Sequence, residues 1–257
     1  MLLLFVKRDI VTVYKQTVLG PLWFFIQPLF TSVVFTLIFN RIASIDTGII
    51  PAFLFNLAGI TIWNYFKICL TSTSNTFRAN AGVFGRVYFP RFIVPLSKVM
   101  SNLFKFGIQM LIVVGFYIYY VAKGTPIELG WYNALIPIYV VLMAIYGLGV
   151  GMIISTFTTK YRDLSILLTF SMQLLMYLSA VAYPMAEVSN KIPEYAWVIE
   201  FNPIAHLVEG FRFSIFGGDV LFFDWNTLGV ITLVGIFLFL IGLMLFNRTE
   251  KTFIDTV

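Results

Sequence analysis

Apolar residues in this chain fall in long blocks, broken by short polar segments. A bilayer-spanning helix needs about 20 mostly apolar residues. Six stretches meet that need: 22–39, 49–70, 99–121, 134–157, 164–183 and 227–246. None keeps the period-2 alternation of a barrel strand, so the pattern predicts a helical bundle with both termini on one side. Ahead of the first block, Leu3, Val6, Ile10 and Val13 recur at helical spacing, opposite Arg8, Asp9, Thr12 and Lys15. That predicts an amphipathic helix within residues 1–20, lying on the membrane surface, with Gly20-Pro21 separating it from the first span. The uncharged run 2–6 is too short for a cleaved signal, and its charges follow it instead of preceding it.

Residues 184–224 break the simple pattern. They are too apolar for an ordinary loop, yet each candidate helix within them is too short to cross. Pro184 is expected to end the fifth span. Residues 193–201 allow roughly two turns. Asn202-Pro203 is a good helix start, because Asn caps free amides and Pro suits the first helical position. Gly217-Gly218 provides the stop. The predicted helix of about 14 residues covers roughly 21 Å, against a hydrocarbon core of about 30 Å. Two short helices with a capped break predict an external re-entrant hairpin, bordering protein or a wet cavity. Within it His206, Glu209 and Arg212 can share one face, with Glu209 pairing to either neighbour. They read either as a polar latch beside a pathway or as a self-satisfied interfacial ion pair.

Composition agrees with the block pattern. Of 257 residues 60% are hydrophobic and only 11% charged, where a soluble domain carries roughly 25%. The chain is therefore an integral membrane protein of all-α class, a single transmembrane unit over 1–257. Its single Cys69 permits no internal disulfide. The net charge of +5 is explained by topology, and no nucleic-acid partner is expected. Eleven Lys and Arg lie in the N-terminal segment, the 75–98 loop, the 158–163 loop and the C-terminal tail. Four (Arg41, Lys123, Lys191 and Arg212) lie on the other side. That bias predicts cytoplasmic N and C termini. Lys67 and Lys105 fall within spans near their cytoplasmic ends, where they can snorkel or face a polar lumen.

Gly147, Gly151 and Ser155 form a small face for close helix packing. Trp23, Phe24, Trp63, Tyr65 and Phe66 crowd the first two spans, either as lipid contacts or as a pathway lining suited to sugar rings. The phosphate loop, the zinc-protease motif, the nucleophile elbow and paired intramembrane carboxylates are all missing from the sequence, and His206 and Glu209 lack further metal ligands. No catalytic centre or resident cofactor is expected. Uphill movement of a substrate would need work from a partner.

Several motifs then align in order. Tyr14-Lys15-x-x-Val18-Leu19-Gly20-Pro21-Leu22-Trp23 with Gln27-Pro28, Val87-Tyr88-Phe89-Pro90-Arg91, Tyr161-Arg162-Asp163-Leu164, and Asn202-Pro203-Ile204 with Arg212 together resemble the permeases of polysaccharide-export ABC transporters, which move O-antigen, capsule or teichoic acid chains. The resemblance covers essentially the whole chain. It implies a transport subunit, not an enzyme, in the bacterial inner membrane: a homodimer bound to two copies of a separate ATPase that holds ATP and Mg. It implies ATPase coupling through Lys15, Phe84, Arg86, Tyr88, Phe89, Tyr161, Arg162 and Asp163, although Asp163 equally suits a helix N-terminus. It implies an external gate around Asn202, Pro203, His206, Glu209 and Arg212, and a polyprenyl-diphosphate-linked glycan whose diphosphate could meet Arg86, Arg91 or Lys98. The alternatives are a related permease for drugs or other lipids, a membrane transferase acting on lipid-linked sugars, and a passive channel.

Overall fold

A computed structural model describes residues 2–15, 22–84, 90–127, 129–159, 161, 163–218, 221 and 223–254. These residues form helices and connections, with no strand among them. In order they are α1 (Leu2–Lys15), α2 (Leu22–Phe35) running on into a π-helical stretch (Thr36–Ile42), α3 (Ala52–Ser74), α4 (Thr76–Phe84), α5 (Ile93–Ala122), a 3-10 turn (Trp131–Leu135) leading into α6 (Ile136–Thr158), α7 (Leu164–Leu178), α8 (Met185–Lys191), a second 3-10 turn (Pro193–Tyr195), α9 (Ala196–Glu200), α10 (Pro203–Phe216) and α11 (Trp225–Ile254). Five helices are long and apolar enough to cross a membrane: Leu22–Ile42, Ala52–Ser74, Ile93–Ala122, Trp131–Thr158 and Trp225–Glu250.

Three expectations are corrected. The fifth apolar stretch covers 164–183, but α7 stops at Leu178 and is about 22 Å long. The chain turns at Ala180, held at φ +52, and Pro184 opens α8 instead of closing α7. The 75–98 loop is helical over Thr76–Phe84, where α4 follows α3 after Asn75, and again from Ile93, where α5 begins. Asp9, assigned to the water face of α1, turns inward: its side chain is 10% exposed and meets Lys98 of α5 at 2.9 Å. A carboxylate leaves solvent here because a lysine on the neighbouring helix and Arg8 beside it (3.1 Å) replace the lost hydration.

Helix α3 is the axle of the fold. Helices α2, α5, α6, α7 and α10 all contact it, and residues 54–63 of it are buried without interruption. Helix α6 lies between α3 and α11, and its glycines explain how. A side chain at Gly147 would meet the Cβ of Cys69 at 2.8 Å, and one at Gly151 would meet Thr73 at 2.7 Å. On the other face, Gly149 lets the Phe239 backbone approach and Gly242 of α11 sits against the Gly149 carbonyl. Small residues let helix backbones come close where the hydrophobic effect gives no drive between helices in lipid. Hydroxyls then add cross-links: Thr158 donates to the Ser74 carbonyl and Tyr146 to the Ile231 carbonyl, each at 2.8 Å. The small face expected at Gly147, Gly151 and Ser155 is thus buried, with Gly147 and Gly151 packed against α3.

Candidate functional site: a polar clasp on the α7–α8 turn

Helix α10 begins and ends where its sequence directs. Asn202 accepts a hydrogen bond from the Ile204 amide at 3.0 Å, Pro203 occupies the first helical position, and Gly217 stops the helix at φ +61. The same Asn202 reaches across the fold. Its side-chain amide donates to the Leu178 carbonyl at 2.9 Å and contacts the Ser179 hydroxyl at 3.1 Å. The last carbonyls of a helix lack partners inside that helix; the start of α10 supplies one for the end of α7.

Arg212 supplies the rest. It is fully buried. Its Nη1 donates to the Ala180 carbonyl at 2.8 Å, its Nη2 to the Val181 carbonyl, and its Nε to the Phe55 carbonyl of α3 at 3.2 Å. The guanidinium also lies 3.7 Å from the centroid of the Phe55 ring. Glu209, one turn earlier and equally buried, stands 3.5 Å from Nη1. Its other oxygen accepts from the Met185 amide at 3.4 Å, at the start of α8. The pair neutralises what would otherwise be an isolated buried charge, and the planar fork satisfies three carbonyls at once. Space for it comes from Gly59. A Cβ there would collide with the guanidinium and lie 2.9 Å from the Val181 carbonyl. Asn202, Glu209 and Arg212 therefore hold the whole 178–185 turn against α3.

His206 goes elsewhere. Its Nε2 lies 2.7 Å from the Glu200 carbonyl, across the α9–α10 corner. Of the three residues expected on one face, Glu209 and Arg212 join in the clasp, while His206 braces α9. A small cluster of Ala180, Met185, Ile199 and Ala205 fills the inside of the 180–205 segment.

The other candidates are dispersed. On the side of the fold where α7 begins, Tyr161 is exposed and Asp163 stands at the helix start, its carbonyl accepting from Ile166 and Leu167 at 2.9 and 3.1 Å. Arg162, Arg86, Tyr88 and Phe89 lie outside the described residues, as do the side chains of Lys15 and Phe84. Arg91 is buried, bonding the Glu250 carbonyl at 3.0 Å and its carboxylate at 3.7 Å. Lys98 holds Asp9. Both cations therefore join helices to one another. Of the proposed pathway aromatics, Trp23 is half exposed and Phe24 lies beneath Lys105, whose Nζ is 5.5 Å from its centroid. Trp63, Tyr65 and Phe66 are buried, Trp63 against Phe66 at 5.5 Å and Tyr65 against Phe106 at 5.2 Å. Those three pack the core and present no open surface beside Trp23.

Two features escaped the sequence reading. Asn56 of α3 donates to Asn40 at 2.8 Å and to Thr36 at 3.2 Å, which ties α3 to the π-helical stretch. Isolated asparagines inside apolar blocks are the signal for it. Trp131, Phe213, Phe223 and Trp225 form an aromatic cluster where α6 and α11 start and α10 ends; Trp131 and Trp225 stack at 5.8 Å, and Phe213 and Phe223 at 4.7 Å. Aromatics beside helix ends were its only trace.

This arrangement has no catalytic constellation among its described residues. It offers buried polar ties that fix how apolar helices sit against one another. Comparison with known proteins gives the family. The ABC-2 type transporter family matches residues 2–216. The chain belongs to that family. Among curated proteins it is 28% identical to an O-antigen export system permease protein of Klebsiella pneumoniae, over 99% of this chain and 94% of that protein. A protein of the same description from Myxococcus xanthus is 22% identical over 82% of this chain and 78% of its own length. The capsule polysaccharide export inner-membrane protein CtrC of Neisseria meningitidis is 24% identical over 95% of this chain and 89% of its own length.

Proposed function

We propose that this ABC-2 family member is the membrane permease of an ATP-driven exporter that moves a lipid-linked cell-surface polysaccharide across the bacterial inner membrane. The observation that carries the reading is the near end-to-end similarity to the O-antigen export permease of Klebsiella pneumoniae. The basic bias of the N-terminal segment, the 75–98 and 158–163 segments and the C-terminal tail supports cytoplasmic termini. On this reading α7 is the fifth of six spans, completed by the 179–183 turn, and α8 to α10 form the external hairpin. Two copies enclose the pathway, and two ATPase chains carry the ATP and Mg. Arg162 and Asp163 pass the ATPase motion to α7. The substrate is a glycan on a polyprenyl diphosphate carrier.

Gentle extraction should bring down a nucleotide-binding protein in equal copies. Removing the chain from its host should leave lipid-linked glycan on the cytoplasmic leaflet, with none at the surface. Purification alone and unchanged surface glycan would overturn the reading. Arg162→Ala with Asp163→Ala should stop export while the protein still inserts, and normal export would remove the coupling role.

A further inference from the structure

Most of α3 is buried, and the part of its second half that is not buried is mainly polar. Over residues 64–78 only Asn64, Lys67, Ile68, Thr71, Ser72, Asn75 and Arg78 escape burial. Asn64, Lys67, Thr71 and Asn75 stand at i, i+3, i+7 and i+11, which is one helical face, and Ile68 and Ser72 border it. Arg78 of α4 carries the face into a polar groove of about 690 Å³, shared by Asn75 and Arg78 with Thr169 of α7.

This face lacks the ties that settle the polar groups elsewhere in the core. Among the described residues, no hydrogen bond or ion pair engages the side chains of Asn64, Lys67 or Arg78. The Thr71 and Ser72 hydroxyls donate back to the Lys67 and Ile68 carbonyls at 2.8 and 2.6 Å, and the Asn75 amide to the Thr71 carbonyl at 3.1 Å. Their oxygen lone pairs stay open. Helices α3, α4 and α7 contain no Asp or Glu to balance the two cations. Lys67 alone could snorkel to the membrane surface. Asn64 cannot: it lies at the middle of the 23 residues of α3, about 15 Å from the end of the helix at Ser74, and its side chain is short. Lipid satisfies none of these groups. A dry seam between this face and the same face of a second copy would set cation against cation.

We infer that the face is an anion subsite inside the membrane: Arg78 meets the phosphate groups of the substrate's lipid carrier at its mouth, and Lys67 with Asn64 receives them deeper in the bilayer. Cationic and amide donors suit phosphate oxygens, while the open oxygens of Thr71, Ser72 and Asn75 suit the hydroxyls of sugars that follow. The inference rests on the reading that the cargo is a lipid-linked glycan. It adds which surface of the chain that cargo touches and which residue takes its charge.

Thiol labelling tests it, in inverted membrane vesicles carrying the permease with its ATPase. A Cys69→Ala background removes the one native thiol. In it Asn64→Cys and Thr71→Cys should react with charged, membrane-impermeant methanethiosulfonates, whereas Leu233→Cys, on the exposed face of α11, should not. Relative to their rates with a free thiol, the anionic reagent should modify Thr71→Cys at least tenfold faster than the cationic one. Lys67→Gln should erase most of that ratio. ATP-dependent glycan transport by the parent complex checks the underlying reading separately, since the labelling reads the face whatever the cargo. Lys67→Gln should lower transport at least fivefold, and Lys67→Arg should keep at least half of the parental rate. No reaction at positions 64 and 71, a charge preference that survives Lys67→Gln, or parental transport by Lys67→Gln overturns the subsite.

Discussion

Helices α3 and α11 reverse the rule that governs soluble proteins. Of the five long apolar helices, α3 has the lowest mean hydropathy and the largest buried share, 78%, while α11 has the highest mean hydropathy and 17% buried. In water the greasiest helix would be inside. In lipid the solvent is as apolar as leucine, so exposing Leu233, Phe237 and Leu240 of α11 costs nothing there. The interior is then assigned by what lipid cannot satisfy, Asn56 and the carbonyls around Arg212, and by the close approach that Gly59 allows. What holds this protein together is close backbone approach and buried polar ties, more than apolar area.

The largest test of that comparison is Arg212. Arg212→Ala leaves Glu209 and three carbonyls without their partner in the core. Breaking a buried pair this way costs about 3–5 kcal/mol, so the variant should lose most of its folded yield and all export. Arg212→Lys keeps the charge but not the planar fork, and should fall between the two in thermal melts of the detergent-extracted protein. A variant with Ala that melts with the parent would mean the clasp is dispensable.

Next is a pair on one helix. Gly242 of α11 lies against the Gly149 carbonyl, whereas Gly229 has open space where its Cβ would be. Gly242→Ala should cost about 1–3 kcal/mol by overpacking. Gly229→Ala should be neutral or gain up to about 1 kcal/mol, because alanine is the better helix former. Equal melting temperatures would show that α11 is held by lipid and not by α6.

Much of this was legible beforehand. The bounds of α10 followed from Asn202, Pro203 and Gly217, since capping is local chemistry and acts over a few residues. The spans were legible because bilayer thickness sets their length. The inward turn of Asp9 was not, because its partner Lys98 lies on another helix and amphipathic spacing counts only residues on its own. The early end of α7 was hidden for a related reason: the run 164–183 stays apolar through the turn, and the groups that stabilise that turn come from Asn202 and Arg212, more than 20 positions later. For Trp63 and Phe66 lipid contact and pathway lining both stayed open, because aromatic composition does not say which side of a helix is enclosed. For the clasp, the sequence yielded the residue types and their spacing on α10, but not the carbonyls they serve.

A smaller effect separates two kinds of buried polarity. Asn56 bridges helices, through Asn40 and Thr36. Asn56→Leu should cost about 0.6–1.7 kcal/mol, the range for interhelical hydrogen bonds in membranes. The loss should shrink when Asn40→Leu is already present, because the two share one bond. Additive losses in that double-variant cycle would assign the cost to packing.

The smallest effect is expected at Thr61, and its smallness is informative. Thr61 is fully buried in α3, as Asn56 is, so burial alone would rank the two together. Its hydroxyl donates only to the Leu57 carbonyl one turn back, at 2.8 Å. That carbonyl already has its own helical partner, and Val keeps the branched shape while removing one polar atom with nothing left unpaired. Thr61→Val should therefore shift stability by less than about 0.5 kcal/mol, with export at the parent level. A loss as large as that of Asn56→Leu would mean that polarity inside α3 matters wherever it lies. A negligible shift would confine the stabilising polar groups to those that reach another helix.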